Sequence, residues 1–283
     1  MANSNTANEA TYTNTSILIV GTGFAGLGMA IKLLEMGIND FTIIERAKDV
    51  GGTWRDNRYP GAACDVPSHL YSFSFAPNAE WSRVYPIQPE LETYLQSVAD
   101  KWQLRKHIRF NHTLKEARFD EASAHWLVHT SSGDFKARFV ISGNGGLAEP
   151  KLPDIAGVEN FTGHHFHSAN WDHNYPLAGK RVAVIGTGAS AIQFVPEIAG
   201  VPAKLSIFQR TPNWIIPRGD RPYSRFEKWI FKHIPITRKI LRAKIYCQNE
   251  TRVLGMVLHP AIMNLFRFSA VRHIQRQVAD PAM

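Results

Sequence analysis

Only two cysteines occur in the sequence, Cys64 and Cys247, far apart and in no Cys-x-x-Cys pair. That excludes a disulfide framework and a zinc site of ordinary spacing, and it fits a reducing cytoplasm. Long apolar runs are also missing, so no segment reads as a membrane-spanning helix. The N-terminus has no basic start followed by an apolar run. Met1 to Thr15 is polar and rich in Asn and Thr, which excludes a secretory signal and leads us to expect disorder over residues 1–14. Excess charge is absent from most of the chain: before Arg218, 19 Lys and Arg face 20 Asp and Glu, and from there on 13 face 4. The net charge of +8 therefore belongs to the last stretch. Basic tails serve nucleic acid or anionic membranes in some proteins. No nucleic-acid motif accompanies this one, and we read it as a solvated helical face. A membrane-surface contact requires the apolar side of Leu254 to Val271 to be exposed.

What is present is a repeated pattern. Ser16 to Val20 is a short β-branched run, followed by Gly21-Thr-Gly-Phe-Ala-Gly26 and a helical run through Leu34. Arg181 to Ile185 is followed in the same way by Gly186-Thr-Gly-Ala-Ser-Ala191 and a helical run through Ile198. Each returns to a strand, Phe41 to Glu45 and Lys204 to Arg210. Two βαβ units imply an α/β fold of two dinucleotide-binding (Rossmann-like) domains, with parallel sheets flanked by helices. Between them, Trp126 to His129 and Ala137 to Ser142 read as strands joined by a turn at Ser131 to Asp134, and Pro150 to Pro153 reads as a linker. Arg225 to Val278 reads as helices broken near Pro235 and Pro260. The expected organisation is a first dinucleotide domain over 15–150, a second over 151–217 and a helical insertion over 218–283.

The glycines have separate tasks. Gly21 permits the tight turn, Gly23 lets a pyrophosphate approach the backbone, and Gly26 lets helix and strand pack closely. The helix N-terminus then presents free N–H groups to the phosphates. Glu45 lies 24 positions after Gly21. A carboxylate there accepts ribose hydroxyls and repels a 2′-phosphate, so the first turn suits FAD or NAD. Arg210 stands at the same spacing after Gly186. Arginine pairs bidentately with phosphate, the Thr211 hydroxyl adds a donor, and the second turn therefore suits NADP. One site of each kind points to hydride transfer from NADPH to a flavin.

Two further stretches carry a resemblance. One is Gly51-Gly-Thr-Trp-Arg-Asp-Asn-Arg-Tyr-Pro-Gly-Ala-Ala-Cys-Asp65. The other is Phe161-Thr-Gly-His-His-Phe-His-Ser-Ala-Asn-Trp-Asp172. The second is similar to the F-x-G-x-x-x-H-x-x-x-W-[PD] fingerprint of type I Baeyer–Villiger monooxygenases at Phe161, Gly163, His167, Trp171 and Asp172. Phe208-Gln-Arg-Thr-Pro212 also resembles that family, and the resemblance runs from about Thr15 to the end.

The resemblance implies FAD on the first domain and NADPH on the second. Gly21, Gly23, Phe24, Gly26, Glu45 and Arg46 are then expected at the FAD diphosphate and ribose. Gly52, Thr53, Trp54, Asp65 and Tyr71 fall along the flavin, and the backbone at Leu114 meets the adenine. Gly186, Thr187, Gly188, Ala189, Ser190, Arg210 and Thr211 are expected at NADPH. It also implies that a flavin C4a-peroxide inserts one oxygen atom of O2 beside the carbonyl of a ketone or aldehyde, giving an ester or lactone. Asp65 is the candidate catalytic residue, a carboxylate that orients a cationic partner. His167 reads as a structural or domain-coupling hydrogen-bonder and Trp171 as an anchoring aromatic. His164, His165 and His167 form no set at ligand spacing, so no metal is expected. Cys64 lacks the second cysteine that a disulfide reductase needs.

Members of that family are longer than this chain, and the segment expected to bring the arginine partner of Asp65 is not found in it. The expectation is therefore an incomplete piece with weak FAD retention and no oxygenation. The competing readings are a flavin monooxygenase oxidising nitrogen or sulfur, and a non-catalytic dinucleotide-binding fragment.

Overall fold

The computed structural model describes residues 12–147, 149–211, 213, 215–257 and 263–278. The chain divides into two compact units, one of Met1–Asn57 with Leu91–Ala169 and one of Arg58–Glu90 with Asn170–Met283. The division differs from the boundary read near residue 150, and it cuts the fingerprint between Ala169 and Asn170.

The first unit is built on β1 (Tyr12–Val20), α1 (Phe24–Glu35) and β2 (Phe41–Ile44). The short helix α2 (Thr53–Asp56) follows, and α3 (Gln88–Lys101) begins at the unit's limit. The remaining strands are β3 (Ile108–Arg109), β4 (Leu114–Asp120), β5 (His125–Thr130) and β6 (Asp134–Ser142). They form one six-stranded sheet in the order β3-β2-β1-β6-β5-β4. β1 pairs in parallel with β2 and β6, and β2 in parallel with β3. The expected hairpin forms, but it makes the sheet mixed: β5 runs antiparallel to both of its neighbours, β4 and β6. β1 is central, so Leu18 and Ile19 are fully buried, as a strand covered on both faces requires.

β1 starts at Tyr12, and residues 12–14 pair with 134–136 of β6, which corrects the expectation of disorder through residue 14. The strand edge offers those polar residues ladder hydrogen bonds that composition alone does not reveal. Residues 1–11 lie outside the described residues.

The second unit holds β7 (Arg181–Ile185), α4 (Ala189–Ile198) and β8 (Lys204–Phe208), a βαβ unit with β7 and β8 parallel. Val184, Ala191, Phe194 and Ile198 form its core. Ile185, Ile207 and Phe208 of this small sheet stay exposed. Three helices follow: α5 (Arg225–His233), α6 (Pro235–Val257) and α7 (Met263–Gln277). Ser224 caps α5 in a capping box with Glu227. The expected break near Pro260 falls outside the described residues, as does much of the apolar side of Leu254 to Val271. No helix among the described residues is long and apolar enough to cross a membrane.

Candidate dinucleotide turns and the Asp65 loop

In the first turn three backbones converge. Gly21 has φ +95°, and a Cβ there would lie 2.7 Å from the Gly143 carbonyl oxygen. A Cβ on Gly26 would lie 1.9 Å from the Gly21 oxygen, and one on Gly143 would lie 2.9 Å from the Val20 oxygen. Gly23 is the N-cap of α1, and Gly52, at φ +52°, brings its Cβ position within 3.1 Å of the Gly23 Cα. Gly23 and Gly52 thus border a backbone cradle that side chains would fill. The first N–H groups of α1 have no intrahelical acceptor, and its first turn carries no acidic residue to compete with a phosphate. Phe24 stacks on Tyr94 at 6.1 Å between ring centres, which makes its ring part of the packing.

Glu45 is 4% exposed, and protein groups occupy it. One carboxylate oxygen accepts from the Thr22 N–H (3.0 Å) and hydroxyl (2.5 Å). The other accepts from the Ala47 N–H (2.9 Å) and pairs with Arg55 (3.1 Å). A carboxylate offers about four lone-pair sites, so a ribose hydroxyl meets Glu45 only in exchange for one of these donors. Arg55, which the sequence did not single out, is the buried partner of this carboxylate. Arg46 is exposed and pairs with Asp56 and Glu149. Thr53 and Trp54 lie half-buried on α2. Leu114 opens β4 with its side chain packed against the core.

The second turn is more open. Gly186 has φ +98°, and added Cβ atoms at Gly186 or Gly188 meet nothing within 4 Å. Gly188 is the N-cap of α4, which begins Ala189-Ser190, and Ala191 is buried. Thr187 is tied to the segment after β8: its hydroxyl accepts from Gln209 (3.0 Å) and its carbonyl from Asn213. Arg210 and Thr211 are exposed. Arg210 has no ion-pair partner among the described residues, which leaves its guanidinium available to an anion.

Asp65 sits in a loop docked on α4. Gln193, on α4, accepts from the Tyr59 hydroxyl (3.0 Å) and the Ala63 N–H (3.1 Å), and donates to the Ala63 carbonyl (2.9 Å) and the Asp65 carboxylate (3.3 Å). Gly61 lies so close to α4 that a Cβ would fall 2.8 Å from the Gln193 carbonyl oxygen. Arg218 donates to the Cys64 carbonyl, approaches the Asp65 carboxylate at 3.8 Å and lies over the Tyr85 ring at 4.7 Å. A cation beside Asp65 is thus present within this chain. The lone polar residue in the apolar run Ala191-Ile-Gln-Phe-Val195 was a signal for Gln193, whereas nothing local marked Arg218. Burial pushes the Cys64 thiol up to about 11, so it is an inert side chain at neutral pH. Tyr71 is half-buried in the same loop. Farther along, one Arg242 nitrogen on α6 donates to the carbonyls of His69, Leu70 and Ser72 at 2.8, 3.1 and 3.0 Å.

The fingerprint residues take structural positions. Phe161 is exposed and its ring covers Gly163, where a Cβ would lie 2.4 Å from it. The His167 ring accepts from the Ala169 N–H at 3.1 Å. Trp171 packs on Phe194 of α4 at 5.1 Å between ring centres, and Asp172 accepts from the Asn174 N–H at 3.0 Å. Among the described residues no cluster could hold a metal ion.

Residues 18–253 match the family described as pyridine nucleotide-disulphide oxidoreductase. The chain belongs to this family. Within it, the present chain has both cysteines free, Cys64 buried and Cys247 exposed. It is 48% identical over 268 residues to a Baeyer–Villiger monooxygenase of Pseudomonas aeruginosa, covering 94% of this chain and 51% of that protein. A solved cyclohexanone monooxygenase from Rhodococcus sp. Phi1 bound to NADP+ superposes with a TM-score of 0.72 at 35% identity, over 80% of this chain and 44% of that one. OTEMO in complex with FAD and NADP gives 0.72 at 35% identity, over 83% and 44%. The chain spans about half the length of the curated relatives it matches.

Proposed function

We propose that this chain supplies the FAD turn, the NADPH turn and the Asp65 loop of a Baeyer–Villiger monooxygenase, which inserts one oxygen atom of O2 next to the carbonyl of a ketone or aldehyde. The observation that carries the reading is the contrast between two like turns: one followed by the buried carboxylate of Glu45, the other by the exposed Arg210, unpaired among the described residues. The relatives' names and bound nucleotides support it.

The residues present fit both dinucleotides. Gly21, Gly23, Gly26 and Gly52 would hold the FAD diphosphate against backbone, with Glu45 fixing the turn through Thr22 and Arg46, Thr53, Trp54 and Leu114 lining the rest. Thr187, Gly188, Ala189 and Ser190 hold the NADPH diphosphate, and Arg210 with Thr211 takes the 2′-phosphate. When bound, FAD reduced by NADPH supplies the activation of O2. Asp65 presents a negative charge at the wall of a cleft of about 690 Å³, steadied by Gln193 and Arg218. That volume suits a small organic ligand.

The half-length coverage favours a second reading, a dinucleotide-binding piece without turnover. Aerobic assay of the chain with FAD, NADPH and a ketone–thioether pair separates the readings. Ester without sulfoxide is expected for the oxygenase, and sulfoxide alone points to heteroatom oxidation. Both nucleotides bound with no product marks the binding piece. Arg210→Ala is expected to weaken NADPH binding roughly 10- to 100-fold, from loss of charge-assisted hydrogen bonds, and to leave NADH binding unchanged.

A further inference from the structure

We propose that Gln193 is a positioning residue that ties Asp65 to the second dinucleotide turn, so that nucleotide binding at the head of α4 and the placement of Asp65 are coupled. The inference rests on the reading of that turn as the NADPH site. Gln193 lies about one helical turn beyond the Gly188 cap, on the helix whose N-terminus would face the phosphates. An amide side chain has two donor and two acceptor positions, and Gln193 uses them all on a single loop. Its oxygen takes the Tyr59 hydroxyl and the Ala63 N–H, and its nitrogen reaches the Ala63 carbonyl and Asp65. The two bonds with Ala63 reproduce a strand-like pairing, so the loop is gripped by its backbone as well as by Asp65. Gly61 makes the grip close, because any side chain there would strike the α4 backbone at 2.8 Å.

The opposite end of the same turn is tied to the same loop. Thr187 is bonded by Gln209 and Asn213, and the segment they open continues to Arg218, which donates to the Cys64 carbonyl and faces Asp65. Asp220 accepts from the Tyr85 N–H at 3.2 Å and pairs with Arg83 at 2.9 Å. The Asp65 loop is therefore held by Gln193 of α4, which begins at the second turn, and by Arg218 of the segment after β8, which bonds to that turn at Thr187. Fixing that turn with a nucleotide restricts both holds.

Cys64 provides the readout. It is buried beside Asp65, and in a Cys247→Ser background it is the only thiol of the chain. Its rate of reaction with a small thiol reagent measures opening of the loop. Gln193→Glu keeps the shape, removes both donors and sets two carboxylates together; it is expected to raise the rate on the order of tenfold without nucleotide. Adding Asp65→Asn restores a donor between the two side chains and is expected to recover most of that increase, a rescue that general destabilisation does not give. NADP+ is expected to slow labelling in the parent and to slow it less in Gln193→Glu, which keeps only the Arg218 hold. Tyr59→Phe, which removes one neutral bond, is expected to give a smaller rise and keeps the test open should Gln193→Glu fail to fold. Equal rates in parent and variants without nucleotide would overturn the tie, and NADP+ that binds without changing the parent's rate would overturn the coupling. If dialysis finds NADP+ bound to neither protein, the NADPH reading of the turn fails and the coupling with it, while the nucleotide-free rates still decide the tie.

Discussion

Gly26→Ala is expected to cost the first unit about 3–5 kcal/mol and to abolish FAD binding, because its Cβ would lie 1.9 Å from the Gly21 carbonyl oxygen. No rotamer relieves a clash between a Cβ and backbone. The Gly21 carbonyl cannot retreat either: the Gly21 N–H donates to Ile44 at 2.8 Å, and Gly143 occupies the space on its far side. The matched control is Gly188→Ala in the second turn, where φ is −70° and the added Cβ meets nothing within 4 Å. It is expected to change stability by less than about 1 kcal/mol. Urea midpoints of the two variants check the pair. Similar small losses in both would mean that the convergence of Gly21, Gly26 and Gly143 does not hold the first turn.

Acidification from pH 7 to pH 5 is expected to remove about 2 kcal/mol of stability from the second unit through His69 alone. Burial, with the charges of Arg238 and Arg242 adding to it, pulls His69 down to about 4 from its ordinary 6.5. It is 4% exposed, packed edge-on against Tyr223 and Phe231, and its Nε2 has no hydrogen-bond partner among the described residues. Protonation there would place a third positive charge beside two arginines in an apolar site. Between pH 6.5 and 4 the unfolded chain binds the proton and the folded chain does not. The stabilisation is therefore complete above 6.5 and lost as pH falls through that window. Glu227, held at about 2, loses its contribution as pH falls from its ordinary 4.5, which lies below the pH 7 to pH 5 comparison. Denaturation midpoints of the parent and His69→Leu at pH 7 and pH 5 check it. A variant that retains the parent's pH slope would refute the assignment.

The two βαβ units were legible because their signal is local: a β-branched strand, a glycine turn and a helix of matching length recur in the same order. The helices after Arg225 were legible from apolar spacing and from Pro235, where α6 begins. The mixed sheet was half legible. The turn between β5 and β6 is written in Ser131 to Asp134, but the side of β1 on which β6 lands is not. The docking of the loop of residues 58–65 on α4 was not legible, since Tyr59 and Gln193 are 134 positions apart and meet only through tertiary folding. That docking is why 58–90 joins the second unit instead of the first. The residue types at both turns were readable from spacing, whereas the engagement of Glu45 was not. A carboxylate at a strand end looks free until Thr22, Ala47 and Arg55 are placed around it.

The central claim is that one turn binds FAD and the other NADPH. The visible spectrum of the purified chain, titrated with FAD and then given NADPH without oxygen, tests it most directly. The account predicts the absorption bands of protein-bound flavin, bleached by NADPH and far less readily by NADH. Flavin that passes through gel filtration unbound, or bound flavin that NADPH leaves coloured, would contradict it.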